Sequence, residues 1–131
     1  MMLVYMHSGI RYLALLAGVL CVGYAFYGAF GKRSYDKTMR ILAAAFAGSI
    51  HLNVLIGMSL LFTGRFYGAL MGHIFMMVFA AITAQLVPSI MRRRPEDQRT
   101  YLPHAIGAMI SLALIAGALM AIQRPLFGSI Y

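Results

Sequence analysis

Four uninterrupted apolar runs, roughly 12–30, 41–62, 68–91 and 105–122, dominate this chain of 131 residues. A helix needs about 20 apolar residues to cross the hydrocarbon core of a bilayer, and each run meets that length. In lipid every backbone N–H and C=O must be satisfied internally, which leaves helices or a closed barrel. The runs are too long for barrel strands. They predict an all-α integral membrane protein with helices over 4–31, 38–63, 67–91 and 102–123. The connections are short, so one four-helix transmembrane domain over 1–131, an up-down-up-down bundle, is the expected architecture. Only 11% of the residues are charged, against about 25% in a soluble domain, and that excludes a soluble core.

The first run is too long for a signal-peptide core, and its basic residues follow it rather than precede it. It is read as a true span. The net charge of +8 would suggest a nucleic-acid partner in a soluble protein, but here its placement points to topology. Lys32, Arg33, Lys37 and Arg40 fall between the first and second runs, and Arg92, Arg93, Arg94 and Arg99 between the third and fourth. Arg11, Arg65 and Arg124 belong to the other side. The positive-inside rule then puts both basic loops in the cytoplasm and both termini outside, as in a multi-pass protein of a bacterial cytoplasmic membrane with lipid, not nucleic acid, as its surroundings. The three acids, Asp36, Glu96 and Asp97, lie on the basic side, so no carboxylate is expected within the membrane.

Local signals set the helix ends. Gly31 before Lys32 and Arg33 suits a helix C-terminus. Ser34 or Asp36 is placed to cap the second helix, and "FTGRFYG" reads as a tight outer turn. Pro88 can kink the third helix, and Pro103 fits the first turn of the fourth. Tyrosines near the run ends form the aromatic belt of a spanning protein. Cys21, the single cysteine, reads as a small apolar residue, and the eleven methionines as adaptable packing surface.

His7, His51, His73 and His104 fall one per helix. A polar ring in hydrocarbon is costly unless it faces the interior and finds a partner. Small residues share the face of each one: Ala14 and Gly18 with His7, Ala44, Ala47 and Gly48 with His51, Ala69, Ala80 and Ala84 with His73, Gly107, Ala108 and Ser111 with His104. Such faces allow either close helix packing or room for a flat prosthetic group. Counted by helix rise, His7 and His73 are level in the outer third and form the best-matched pair. His51 is near the midplane and His104 at the inner border, roughly 9 Å apart along the axis. Imidazoles without carboxylates suit haem better than catalytic zinc. Arg11, one turn after His7, is placed to meet a haem propionate. Asn53 and Gln85 are candidate cross-helix hydrogen bonders or quinone contacts.

"MHSGIRYLALLAGVL", "GKRSYDKTMRILAAAFAG", "IHLNVLIGMSLLF", "GHIFMMVFAA" and "YLPHAIGAMISL" together resemble small bacterial four-helix membrane proteins of a cytochrome b-like family. Gly72 stands where that pattern has an acidic residue, and Pro103 where it has a basic one. The resemblance implies one or two b-type haems, with His7, His51, His73 and His104 as candidate iron ligands. It also implies electron transfer in the membrane; the expectation that goes with it is a quinol pool on one side and a larger redox complex or a second copy as partner. The competing expectation is an accessory or assembly subunit of a larger membrane complex, in which the histidines serve only as structural hydrogen bonders.

Overall fold

The computed structural model describes residues 2–64 and 66–124. Its regular elements are all helical, α1 (Met2–Phe30), α2 (Lys37–Leu61), α3 (Leu70–Arg93) and α4 (Leu102–Ala121), with a 3-10 turn over Glu96–Gln98. All four helices are long and apolar enough to cross a membrane. The chain is a multi-pass membrane protein with a four-helix bundle.

The helices form a ring. α1 packs on α2 and α4, and α3 packs on α2 and α4, so α1 and α3 are diagonal partners. The core between them is built mostly of alanines, with Phe46, Met39, Ile50 and Cys21 as its bulkier members. Small side chains let the backbones approach closely, which is how helices associate where lipid removes the usual hydrophobic drive. Gly18 shows how tight the fit is. A Cβ there would lie 2.7 Å from both Leu112 Cδ2 and Phe46 Cε1.

The ends of the helices follow from identifiable caps. Asp36 accepts a hydrogen bond from the Met39 N–H at 3.0 Å, occupying one of the orphan donors at the start of α2. α1 ends in a six-residue backbone loop in which the Arg33 N–H reaches the Gly28 carbonyl at 3.0 Å. The left-handed residue of that motif is Lys32, at φ 51°, one position beyond the expected glycine. α4 ends the same way, with Gln123 at φ 55° and the Arg124 N–H on the Leu119 carbonyl at 2.9 Å. Gly64, at φ 82°, makes the turn after α2. Arg65, assigned to that turn, lies outside the described residues, as does the tail from 125. α3 starts three residues later than expected and continues through Pro88 to Arg93. Pro103 does fall in the first turn of α4.

One end of the bundle carries the basic loops and is locked by aromatic rings. The Tyr101 hydroxyl donates to the Ser34 carbonyl at 2.7 Å, tying the α3–α4 connection to the α1–α2 connection. The Tyr24 hydroxyl donates to the Asp36 carboxylate, and the Arg33 guanidinium lies 3.7 Å from it. Partial burial opposes the charge on Asp36, but these hydrogen bonds and the nearby cation outweigh it and hold its carboxyl below the ordinary value. For the Tyr35 and Tyr101 hydroxyls burial prevails, and their ionisation is pushed up.

Candidate functional site

His7 and His73 meet across the diagonal of the bundle. Their ring centroids are 6.2 Å apart with an interplanar angle of 70°. Each ring is held by the backbone of a neighbouring helix. His7 Nδ1 donates to the Asn53 carbonyl at 3.1 Å, and His73 Nδ1 donates to the Ala118 carbonyl at 2.9 Å. A carbonyl only accepts, so both rings carry their proton on Nδ1, and Nε2 is left with the lone pair. This is the arrangement by which outer-shell hydrogen bonds fix the tautomer and orientation of metal-ligating histidines.

The spacing can be compared with that of a shared metal. Two metal–nitrogen bonds of about 2 Å, plus about 1 Å from each nitrogen to its ring centre, place two axial imidazoles roughly 6 Å apart. The observed separation matches. The donor set is two neutral imidazoles with no carboxylate, which fits haem iron. It does not fit a site built from side chains alone, and no group of three or more His, Cys, Asp or Glu able to hold a metal occurs among the described residues.

The surroundings of the pair are close-fitting. A Cβ on Gly57 would come within 2.9 Å of His7 Cε1, so glycine there is what lets α2 pass the imidazole. Asn53 is buried, and its side-chain Oδ1 has no hydrogen-bond partner among the described residues. A buried polar atom of that kind costs about 1–3 kcal/mol and marks a place where a further donor would be welcome. Arg11 is buried at 9% exposure, one turn deeper than His7, about 6 Å by helix rise. Its Nη2 donates to the Tyr12 hydroxyl at 3.0 Å, and the guanidinium lies 4.8 Å from the centre of that ring. A propionate meeting Arg11 would therefore be directed into the bundle rather than toward its rim.

The other two histidines are brought to different places. His104 is 2% exposed at the basic end. Its Nε2 shares a 2.7 Å hydrogen bond with the Tyr35 hydroxyl, and the rings stack at 5.6 Å and 22°. The small cavity beside it, about 10 Å³, has the size of a single water. His51 bonds to Gln85 on α3, with Nε2 to Oε1 at 3.1 Å. No ring contact joins His51 to His104 among the described residues.

His51 also departs from the expected inward orientation. Of its neighbours on the helix face, Ala47 is buried, but Ala44, Gly48, Leu55 and Met58 are exposed, and a Cβ on Gly48 would meet nothing within 4 Å. Ala44 and Gly48 thus lie on the outer surface of α2. By contrast the small residues on the faces of His7 (Ala14, Gly18) and His104 (Gly107, Ala108, Ser111) are buried, and on the face of His73 Ala80 and Ala84 are buried while Ala69, at the start of α3, is exposed. Gln85 is a cross-helix hydrogen bonder, as the sequence suggested, whereas Asn53 contributes through its backbone carbonyl, a role that no side-chain pattern announces.

Comparison with protein-family models, with curated proteins and with solved structures gives no match for this chain. The functional reading rests on the site itself.

Proposed function

We propose that this protein is a b-type haem-binding electron carrier of the bacterial cytoplasmic membrane, whose haem iron His7 and His73 would hold. The observation that carries the reading is the 6.2 Å separation of two imidazoles, both held in the Nδ1–H tautomer by backbone carbonyls. The resemblance of the helix openings to cytochrome b-like proteins supports it. Haem iron, when bound, supplies a one-electron couple whose potential the axial ligands and the surrounding dielectric set. The chain's own part is to present two neutral imidazoles with Nε2 unprotonated, to keep both rings from turning, and to hold the Arg11 cation beside them. Separate partners for His51 and His104 favour one haem over two. The basic end of the bundle faces the cytoplasm by the positive-inside rule, which puts both termini and the histidine pair toward the outer face. Quinol as donor and a larger redox complex as acceptor complete the reading.

A second reading has its own support. All four histidines already have hydrogen-bond partners within the chain, and a bundle so satisfied can serve as an accessory subunit of a larger complex. An absorption spectrum of the detergent-purified protein, oxidised and dithionite-reduced, with pyridine haemochrome quantification, decides between them. Reduced b-type bands at one haem per chain are expected. Colourless, folded protein after expression with ample haem supply overturns the haem reading and leaves the accessory subunit.

A further inference from the structure

The seam between α2 and α3 opens outward in a groove of about 380 Å³, within the range of about 300–1,000 Å³ typical of small-molecule sites. Its walls are apolar, with Val54 on α2 and Val78, Ala81, Ile82 and Leu86 on α3. Its polar groups are confined to one track. His51 bonds to Gln85 at 3.1 Å, the Gln85 amide N–H donates to Ser89 Oγ at 2.9 Å, and Arg92 Nη2 donates to the same oxygen at 3.3 Å. The track runs from the centre of α2 to the basic end of α3. Since the Gln85 amide nitrogen faces Ser89, its oxygen faces His51, and His51 donates from Nε2. That assigns the lone pair of His51 to Nδ1, and Gln85 keeps a second amide hydrogen.

We infer that this groove is a binding site for a lipid-soluble quinone, whose ring lies between the seam helices at the level of His51 and Gln85. The chemistry matches in both redox states. His51 Nδ1 accepts a hydrogen bond from a quinol hydroxyl, and the Gln85 amide donates one to a quinone carbonyl. The branched apolar walls take the ring face, and the prenyl tail runs out into the surrounding lipid. Depth separates this occupant from a phospholipid. A phospholipid keeps its polar atoms at the border, near Arg92, and would lay methylene chains against the remaining His51 Nδ1 lone pair and the second Gln85 amide hydrogen, leaving those two without a partner at a cost. A quinone head group carries its oxygens to mid-membrane depth. The site deepens the electron-carrier proposal and rests on it for its redox meaning, but the binding stands or falls by itself.

The test uses the full chain in phosphatidylglycerol nanodiscs, with decylubiquinone affinity measured by calorimetry. An azido-quinone photolabel, mapped by peptide mass spectrometry, locates the site. Label on the α2 and α3 peptides bearing His51 and Gln85, competed by decylubiquinone, is expected. His51→Leu and Gln85→Leu should each weaken binding about tenfold, the equivalent of one hydrogen bond in a dry site. Val78→Trp, which changes a half-exposed wall residue and leaves the core intact, should abolish binding while haem content and thermal midpoint stay at wild-type values. Label elsewhere, affinities unchanged in all three variants, or equal displacement by added phosphatidylglycerol overturns the site. A haem-free protein that still binds decylubiquinone in the groove upholds the site and removes only the electron-carrier reading.

Discussion

The imidazoles of His7 and His73 stand edge to face across the diagonal of the bundle, 6.2 Å between centroids, and each is anchored by Nδ1 to a carbonyl of a different helix. Neither ring belongs to the helix that holds it in place. The pair therefore depends on all four helices at once, α1 and α3 for the rings and α2 and α4 for the carbonyls. Its geometry is a property of the closed bundle.

That dependence separates the histidines by function. His7→Ala and His73→Ala should each abolish stoichiometric b-type absorbance, whereas His51→Ala should retain it at full occupancy, as read by pyridine haemochrome per mole of purified chain. Equal haem loss in all three would show that the effect is general destabilisation and not loss of an axial ligand.

Gly57 offers a subtler probe. A Cβ at 2.9 Å from His7 Cε1 meets the far end of a side chain, which can swing aside, and alanine is favoured over glycine in a helix by about 1 kcal/mol. Gly57→Ala should therefore keep the thermal midpoint within a few degrees of wild type yet lower haem occupancy or shift the Soret band, because the His7 ring is pushed from its place opposite His73. An unchanged spectrum at full occupancy would argue that His7 is not a ligand.

The basic end should respond to the opposite kind of change. At Gly28 a Cβ would stand 2.5 Å from the ring carbons of Tyr101, which is buried at 3% exposure and tied to the Ser34 carbonyl. That ring cannot yield cheaply. Gly28→Ala should destabilise the fold by about 1–3 kcal/mol through overpacking, seen as a lower midpoint in thermal or denaturant unfolding with haem stoichiometry preserved in the surviving folded fraction.

Tyr35→Phe removes the hydroxyl 2.7 Å from His104 Nε2 and leaves a nearly inaccessible ring nitrogen without its partner. The cost should be about 1–3 kcal/mol. Unfolding should register it, while the b-type spectrum stays as it was. A spectrum altered by Tyr35→Phe would instead connect His104 to the chromophore.

Asp36 gives the fold a pH dependence of definite sign. Its carboxyl is held below the ordinary value of 3.8, so it binds its proton less readily folded than unfolded. The stabilisation is complete above 3.8 and is lost as the pH falls through the lower folded value. Wild type should exceed Asp36→Asn in thermal midpoint at pH 6, and the gap should close as the pH is taken below the carboxylate range. A constant gap would mean that the carboxylate charge contributes nothing beyond its hydrogen-bonding shape.

Much of this molecule is legible in the order of its residues. Length and apolarity dictate four helices because lipid offers the backbone no other partner, and short connections force neighbours to alternate in direction. Asp36 before an apolar run is a helix start wherever it occurs, since four N–H groups there need acceptors. The level pairing of His7 and His73 also follows from counting residues along helices whose ends are known. What counting cannot supply is the direction in which each ring points. A soluble helix announces its buried face by contrast with a polar one, but a membrane helix is apolar all round, and a stripe of alanine and glycine reads the same toward a neighbour as toward lipid. His51, with Ala44 and Gly48 beside it, looked no different from His73 with Ala80 and Ala84. Only the packing of α2 on α3 turned the first onto an open seam and the second into the interior. Tertiary structure likewise decided that His104 meets Tyr35 from another connection, and that the anchors of the His7–His73 pair are carbonyls, which every residue carries and no side-chain pattern reveals.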